Sequence, residues 1–219
     1  MAQPQGFGLP AAPVENVVQL SATGSAEAQQ DFLTISLSTT REGPDAQAVQ
    51  AQLKAALDSA LAEAKAQAQP GQLDVRTGNL ALFPRYAKDG RINGWQGSAE
   101  LILQGRDIPR IAATAGRVQS LVVRQVSFSL SREQSARLEA DAQSQAIEKF
   151  KIKAADIARG FGFRGFALRE LSINTNDNGG PRPRMVAMEA KAVGNDAAVP
   201  VEAGKATVQV VVSGSVQMR

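Results

Sequence analysis

The stretch LFPRYAKDGRINGWQG, residues 82–97, decides how this chain folds. Asp89-Gly90 sits between two runs that alternate apolar and polar side chains, and a D-G step in that setting is a strong hairpin signal. With Asp89 and Gly90 as the central turn residues, Lys88 faces Arg91, Tyr86 faces Asn93, Pro84 faces Trp95 and Leu80 faces Ala99. One face of the hairpin then carries Leu80, Leu82, Tyr86, Trp95, Ala99 and Leu101. Arg85, Gln96, Ser98 and Glu100 fall on the other, with Phe83 and Ile102 as apolar exceptions. The stretch holds the chain's only Tyr and only Trp, so this register gathers both rings on one side of one tip.

Outward from the hairpin, the patterning predicts strands over 16–24 and 30–41, the second carrying Phe32, Leu33, Ile35 and Leu37. Pro44 and Asp45 open a helix whose stripe Val49, Leu53, Leu57, Leu61 steps by four and runs to about residue 68, before Pro70-Gly71. Beyond the hairpin come a short helix over 107–118 and a strand over 120–130. Ser131 and Gln134 have the spacing of a capping box and begin the longest helix, to Arg159, with Leu138, Ala142, Ile147, Phe150, Ala154 and Ile157 inward. A strand over 164–174 follows, and the β-branched run KATVQVVVSGSVQMR closes the chain as another. Residues 1–15 read as a loose Pro/Gly/Ala-rich arm. Residues 176–203 show no sustained period and read as a long mobile insertion. The order β-β-α-β-β-α-β-α-β-β predicts an α+β fold, one domain over 16–219, with two long helices on one face of a mostly antiparallel sheet.

Composition narrows the chemistry. Apolar residues make up 43% and charged residues 21% of 219, an ordinary globular balance, and aromatics only 5%, so an aliphatic core and Ala-rich helices are expected. Lys plus Arg is 24 and Asp plus Glu is 21; a net +3 does not argue for nucleic acid but fits weak attraction to an anionic membrane surface. The absence of Cys and His removes disulfides, thiol nucleophiles, Ser-His-Asp triads and nearly all zinc chemistry. No stretch has the roughly 18 apolar residues of a membrane-spanning helix. The first residues carry neither a basic nor an apolar signal region, so any secretory signal is expected to have been removed.

Several motifs look functional and have plainer readings. Gly160, Gly162 and Gly165 spell G-x-G-x-x-G, but a dinucleotide fingerprint leaves a strand and opens a helix, whereas these glycines close one. Gly160 or Gly162 as a left-handed helix cap explains them. Gly204-Lys205 lacks the upstream glycine and the following Ser/Thr of a phosphate loop. Asp141, Glu148 and Asp156 lie among Lys and Arg and read as a solvated helix face. Lys149, Lys151 and Lys153 spread over about 200° of helix azimuth and make no single stripe, and Phe150, Phe161, Phe163 and Phe166 read as core. No catalytic, cofactor-binding or metal-ligating set emerges. Tyr86 and Trp95 remain, either as a cross-strand pair pinning the hairpin or as an aromatic patch for a partner.

Four stretches in order, VVQLSATGSAEAQQDFLTISLSTTRE, DVRTGNLALFPRY through INGWQGSAELIL, VSFSLS, and VPVEAGKATVQVVVSGSVQ, resemble the SIMPL-domain family, especially its bacterial envelope members. The resemblance covers residues 17–216. It implies an α+β domain exported to the periplasm or outer envelope, no established enzymatic activity, relatives that form ring-shaped homo-oligomers, and a loose link to oxidative stress tolerance. It carries no catalytic motif. The chain departs from many relatives in having Trp95 where they have Tyr, and in its longer 176–203 segment.

The expectation is a non-enzymatic envelope protein that acts by self-association, with Tyr86 and Trp95 as the oligomer interface and no cofactor. The alternative is a small-ligand binding protein or a hydrolase using carboxylates and hydroxyls. An anion or nucleic-acid binder ranks third and would betray itself by steep salt dependence. Limited proteolysis is expected to cut first within 176–203; first cuts within 44–68 or 132–159 would contradict the helices placed there.

Overall fold

The computed structural model describes residues 15–176 and 201–219. Its elements run β1 (Val17–Gln29), β2 (Phe32–Gly43), α1 (Ala46–Lys65), β3 (Asp74–Tyr86), β4 (Ile92–Gly105), α2 (Ile108–Arg117), β5 (Val122–Ser129), α3 (Arg132–Gly160), β6 (Phe166–Asn176) and β7 (Lys205–Met218). This is the α+β class in the expected order. The predicted arm at 1–15 and insertion at 176–203 lie outside the described residues, apart from Glu15, Asn176 and 201–203.

The strands do not share one sheet. β3-β4-β2-β5 form a four-stranded sheet and β1-β7-β6 a three-stranded one. The chain correspondingly gathers into two compact units. One takes in the described residues up to Ala26, from Ala136 to Asn176 and from Thr207; the other takes in Glu27–Ser135 and 201–206.

In the second unit, β2 alternates strictly and sends Leu33, Ile35 and Leu37 into the core, while β4 sends Leu101 and Leu103 beside them. A period of two puts successive side chains on opposite faces, so these strands separate an apolar face from a polar one. The apolar face is covered by α1 through Ala60 and Ala64 and by α2 through Ile111 and Ala115. Near the start of α1, Val49 and Leu53 lie over Ala99. Gly97 makes room for that helix: a Cβ there would stand 2.6 Å from Leu53 Cδ1 and 2.8 Å from the Ala81 carbonyl oxygen. Asp45 caps α1, its carboxylate accepting from the Ala48 N–H at 2.8 Å, and Asp107 caps α2 in the same way through Arg110 N–H at 3.1 Å.

In the first unit, α3 lies on the three-stranded sheet through a stripe that steps by four, Ala142, Ala146, Phe150, Ala154 and Ala158. The partner side chains are Leu20 of β1 and Val210, Val212 and Val216 of β7. Gly24 of β1 approaches so closely that a Cβ would collide with the Ala142 carbonyl oxygen. Lys149 and Lys153 donate at 3.2 Å to the carbonyls of Thr23 and Ser21, covering bonding groups on the edge strand β1. Two of the basic residues singled out in the sequence therefore have structural work.

The expected layer of two long helices on one face needs correcting. The helix beside α1 is the short α2, and α3 covers the other sheet. Only two residues, Gln30 and Asp31, separate β1 from β2, a spacing that suggests neighbours in one sheet, yet they join different ones. Strand partners are chosen by long-range packing that a linear pattern does not encode. The buried Gln30, just ahead of β2, donates from Nε2 to the Phe128 carbonyl of β5 at 3.0 Å.

The start of α3 also differs from the expected box. Gln134 N–H bonds the Ser131 hydroxyl at 3.3 Å, but the Ser131 N–H goes to Asp31 at 2.7 Å rather than to the Gln134 side chain. At the other end, Gly162 takes φ +81°, Phe163 N–H bonds the Ala158 carbonyl at 2.9 Å and Gly162 N–H bonds Arg159 at 3.1 Å. That is a Schellman cap with Gly162 in the left-handed position. Phe161 at this cap is largely exposed, so it is not core; Phe150 is buried and Phe163 and Phe166 are partly so.

Gly162→Ala is expected to lower stability by about 1 kcal/mol, because a Cβ is strained at positive φ. Gly160 is helical with open space around it, so Gly160→Ala is expected to raise stability by about 0.5–1 kcal/mol. Chemical denaturation of the two variants checks the opposite signs.

Candidate functional site

The β3–β4 hairpin turns through three residues, not two. Ala87 N–H bonds the Arg91 carbonyl at 2.8 Å, Gly90 N–H bonds Ala87 at 3.0 Å, and Gly90 takes φ +79°. Lys88, Asp89 and Gly90 thus form a tight turn closed by a left-handed glycine, the other loop a D-G step can serve. Tyr86 consequently pairs with Ile92 instead of Asn93. An extra residue at Asn93–Gly94 then restores the expected register, with Pro84 opposite Trp95 and Leu80 opposite Ala99.

The two aromatic residues part company. Trp95 is partly buried against Val49, Leu53, Leu82 and Ala99, under α1. Tyr86 is 63% exposed beside its cross-strand partner Ile92 at 53%, with Leu80 at 54% farther along β3. The apolar surface at the tip is therefore Tyr86 with Ile92. The sequence register hid Ile92 because it omitted the third loop residue.

The opposite face of this sheet carries the polar half of the alternation. Ser36, Ser38 and Thr40 of β2 lie beside Gln96, Ser98 and Glu100 of β4. They line a trough of about 530 Å³ that runs from Asn79 and Phe83 on β3 to Arg124 and Gln125 on β5. Glu100 lies at its centre. Its carboxylate accepts from the Ser36 hydroxyl, and from the Asn79 N–H at 3.1 Å.

Irregularities in both outer strands converge there. Two residues of β3, Gly78 and Asn79, stand opposite the single Glu100. A Cβ on Gly78 would collide with the Glu100 carboxylate as it stands, so a larger residue there would push that side chain aside. In β5 the pairing skips from Ser36–Gln125 to Leu37–Val123, leaving Arg124 as the extra residue. Bulges re-aim side chains, and this one turns Arg124 to the trough. Bonds from the Ser36 hydroxyl and the Asn79 N–H hold the Glu100 carboxyl below the usual glutamate range; partial desolvation opposes them and the Arg76 charge adds to them.

A second charged group sits where β2 begins. Partial burial pushes the Asp31 carboxyl up, but the Ser131 N–H and hydroxyl, each at 2.7 Å, outweigh it with help from Arg106 and leave it below the usual aspartate range. Its engagement with the α3 cap marks it as structural. Asp141, Glu148 and Asp156 are exposed along α3, and Asp156 pairs with Arg159.

A family model described as SIMPL, protein of unknown function (DUF541), matches residues 18–216. No curated protein matches the chain.

Glu100 has a folded-state pKa below its unfolded one, so its stabilisation is full above the unfolded value and lost as pH falls through the folded value. Glu100→Gln is expected to make the loss of stability below the ordinary value of 4.5 shallower. Denaturation midpoints measured across that range check it; an unchanged acid limb would contradict the assignment.

Proposed function

The chain belongs to the SIMPL family, and from that premise we propose that it works without catalysis, by self-association through the β3–β4 hairpin. One observation carries the reading: Tyr86 and Ile92 form an exposed apolar pair at the tip, continued by Leu80 along an outer strand. Such rings and aliphatic groups favour cover from another surface, and an outer strand offers unpaired backbone groups to the same partner. The partner is a second copy of the chain. The other outer strand, β5, exposes Val122, Val123 and Val126, so a head-to-tail joining of β3 to β5 supports growth from copy to copy.

A periplasmic or envelope location, with peripheral contact to the membrane surface, belongs to the same proposal. It rests on the family resemblance and on the mild basic excess of +3. Fractionation of cells making the native protein, with recovery in the cytosol, would remove this part.

A Tyr86→Ser/Ile92→Ser variant is expected to keep its far-UV spectrum and lose oligomeric mass at micromolar concentration, read by size exclusion with light scattering. Trp95→Ser serves as the contrast: it opens a gap beneath α1 and is expected to cost about 2–3 kcal/mol of stability. A wild-type monomer at that concentration overturns the proposal.

A further inference from the structure

We propose that the trough on the polar face of the four-stranded sheet is a binding site for a short oligosaccharide, independent of any self-association. A sugar presents hydroxyls that both donate and accept, on a ring whose C–H groups form an apolar face. The trough answers each feature. Ser38, Thr40 and Ser98 supply hydroxyls of the same dual character, and Gln96 and Gln125 supply amides with paired donor and acceptor. Glu100 uses its bonds from Ser36 and Asn79 to stay oriented, and its remaining lone pairs can accept from ligand hydroxyls.

Phe83 supplies the apolar contact. It is 64% exposed although it belongs to the polar face, opposite Gln96 in the register. An aromatic face carries negative charge density and attracts weakly positive C–H groups. At the far rim Arg124 provides a fork of donors, aimed inward by its bulge. A volume of about 530 Å³ lies within the usual range for small-ligand sites. Another hydroxyl-lined hollow, between Ser21, Ser172, Ser213 and Ser215 with Glu170, has neither an aromatic ring nor a cation in its lining. A third, of about 680 Å³, does hold Phe32 and Arg106, but its Ser131 hydroxyl donates to Asp31 and its Arg106 pairs with Glu133. Glu100 is the one carboxylate among the residues lining the trough, whereas glycoside cleavage ordinarily uses two. The inferred activity is binding without cleavage.

Cellotetraose, maltotetraose and chitotetraose titrated into ¹⁵N-labelled protein test this. At least one is expected to bind with a dissociation constant below about 10 mM and to shift amides of Ser38, Ser98, Glu100 and Arg124. Phe83→Ala and Arg124→Ala are each expected to weaken binding about tenfold without changing the melting temperature, while Phe83→Tyr retains it. Tyr86→Ser/Ile92→Ser is expected to bind as the wild type does, which separates this site from the association surface. No binding of any of the three sugars, or shifts confined to other surfaces, overturns the proposal.

Discussion

The alternation of β4 from Trp95 to Gly105 is the constraint on which the four-stranded unit depends. Odd positions supply Trp95, Gly97, Ala99, Leu101 and Leu103 to the helix side. Even positions supply Gln96, Ser98 and Glu100 to the trough. Since β4 pairs with β2 on one side and β3 on the other, a slip of one residue would exchange the faces of the whole strand. The sheet absorbs its irregularities in the outer strands instead, at Gly78–Asn79 and at Arg124, and beside the hairpin tip at Asn93–Gly94. Core and polar face are thus two products of one register.

Low aromatic content shapes the packing. With aromatics at 5%, large rings cannot fill the space between helix and sheet, so backbones come close. Alanines do this on α3 and the second half of α1, and glycines let helices approach from the sheet side: Gly24 meets the Ala142–Ala146 backbone and Gly97 the Leu53 side chain. Interiors are close-packed, and a small residue on one side must be met by a near surface on the other. The same economy leaves Tyr86 and Phe83 without core to join, on opposite faces of β3.

Among the outer strands β1 stands apart, since β6, like β3 and β5, exposes apolar side chains, Leu168, Leu171 and Ile173. β1 has Lys149 and Lys153 reaching over to its carbonyls. β3 instead exposes Leu80, Phe83 and Tyr86, and β5 exposes Val122 and Val126. Charge on an edge discourages further pairing, while apolar side chains on an edge favour it. The association surface and the trough both follow from where the four-stranded sheet stops.

By itself the sequence determined the elements and their faces. The Asp45 cap, the glycine closure of α3, the Val49–Leu53 stripe and the alternation across residues 80–102 are local or periodic signals, and each has its physical cause within a few residues. It also put Glu100 on the polar side of the hairpin, with Phe83 as an apolar exception there, without bringing them to a site. Only the tertiary structure decided which strands share a sheet, because pairing energy depends on neighbours distant in sequence. It alone set the bulges that bring Asn79 to Glu100 and Arg124 into the lining of the trough, and the extra loop residue that sets Ile92 beside Tyr86. It also placed Trp95 under α1, since a ring's cover is a matter of what lies above it, and no spacing in the chain records that.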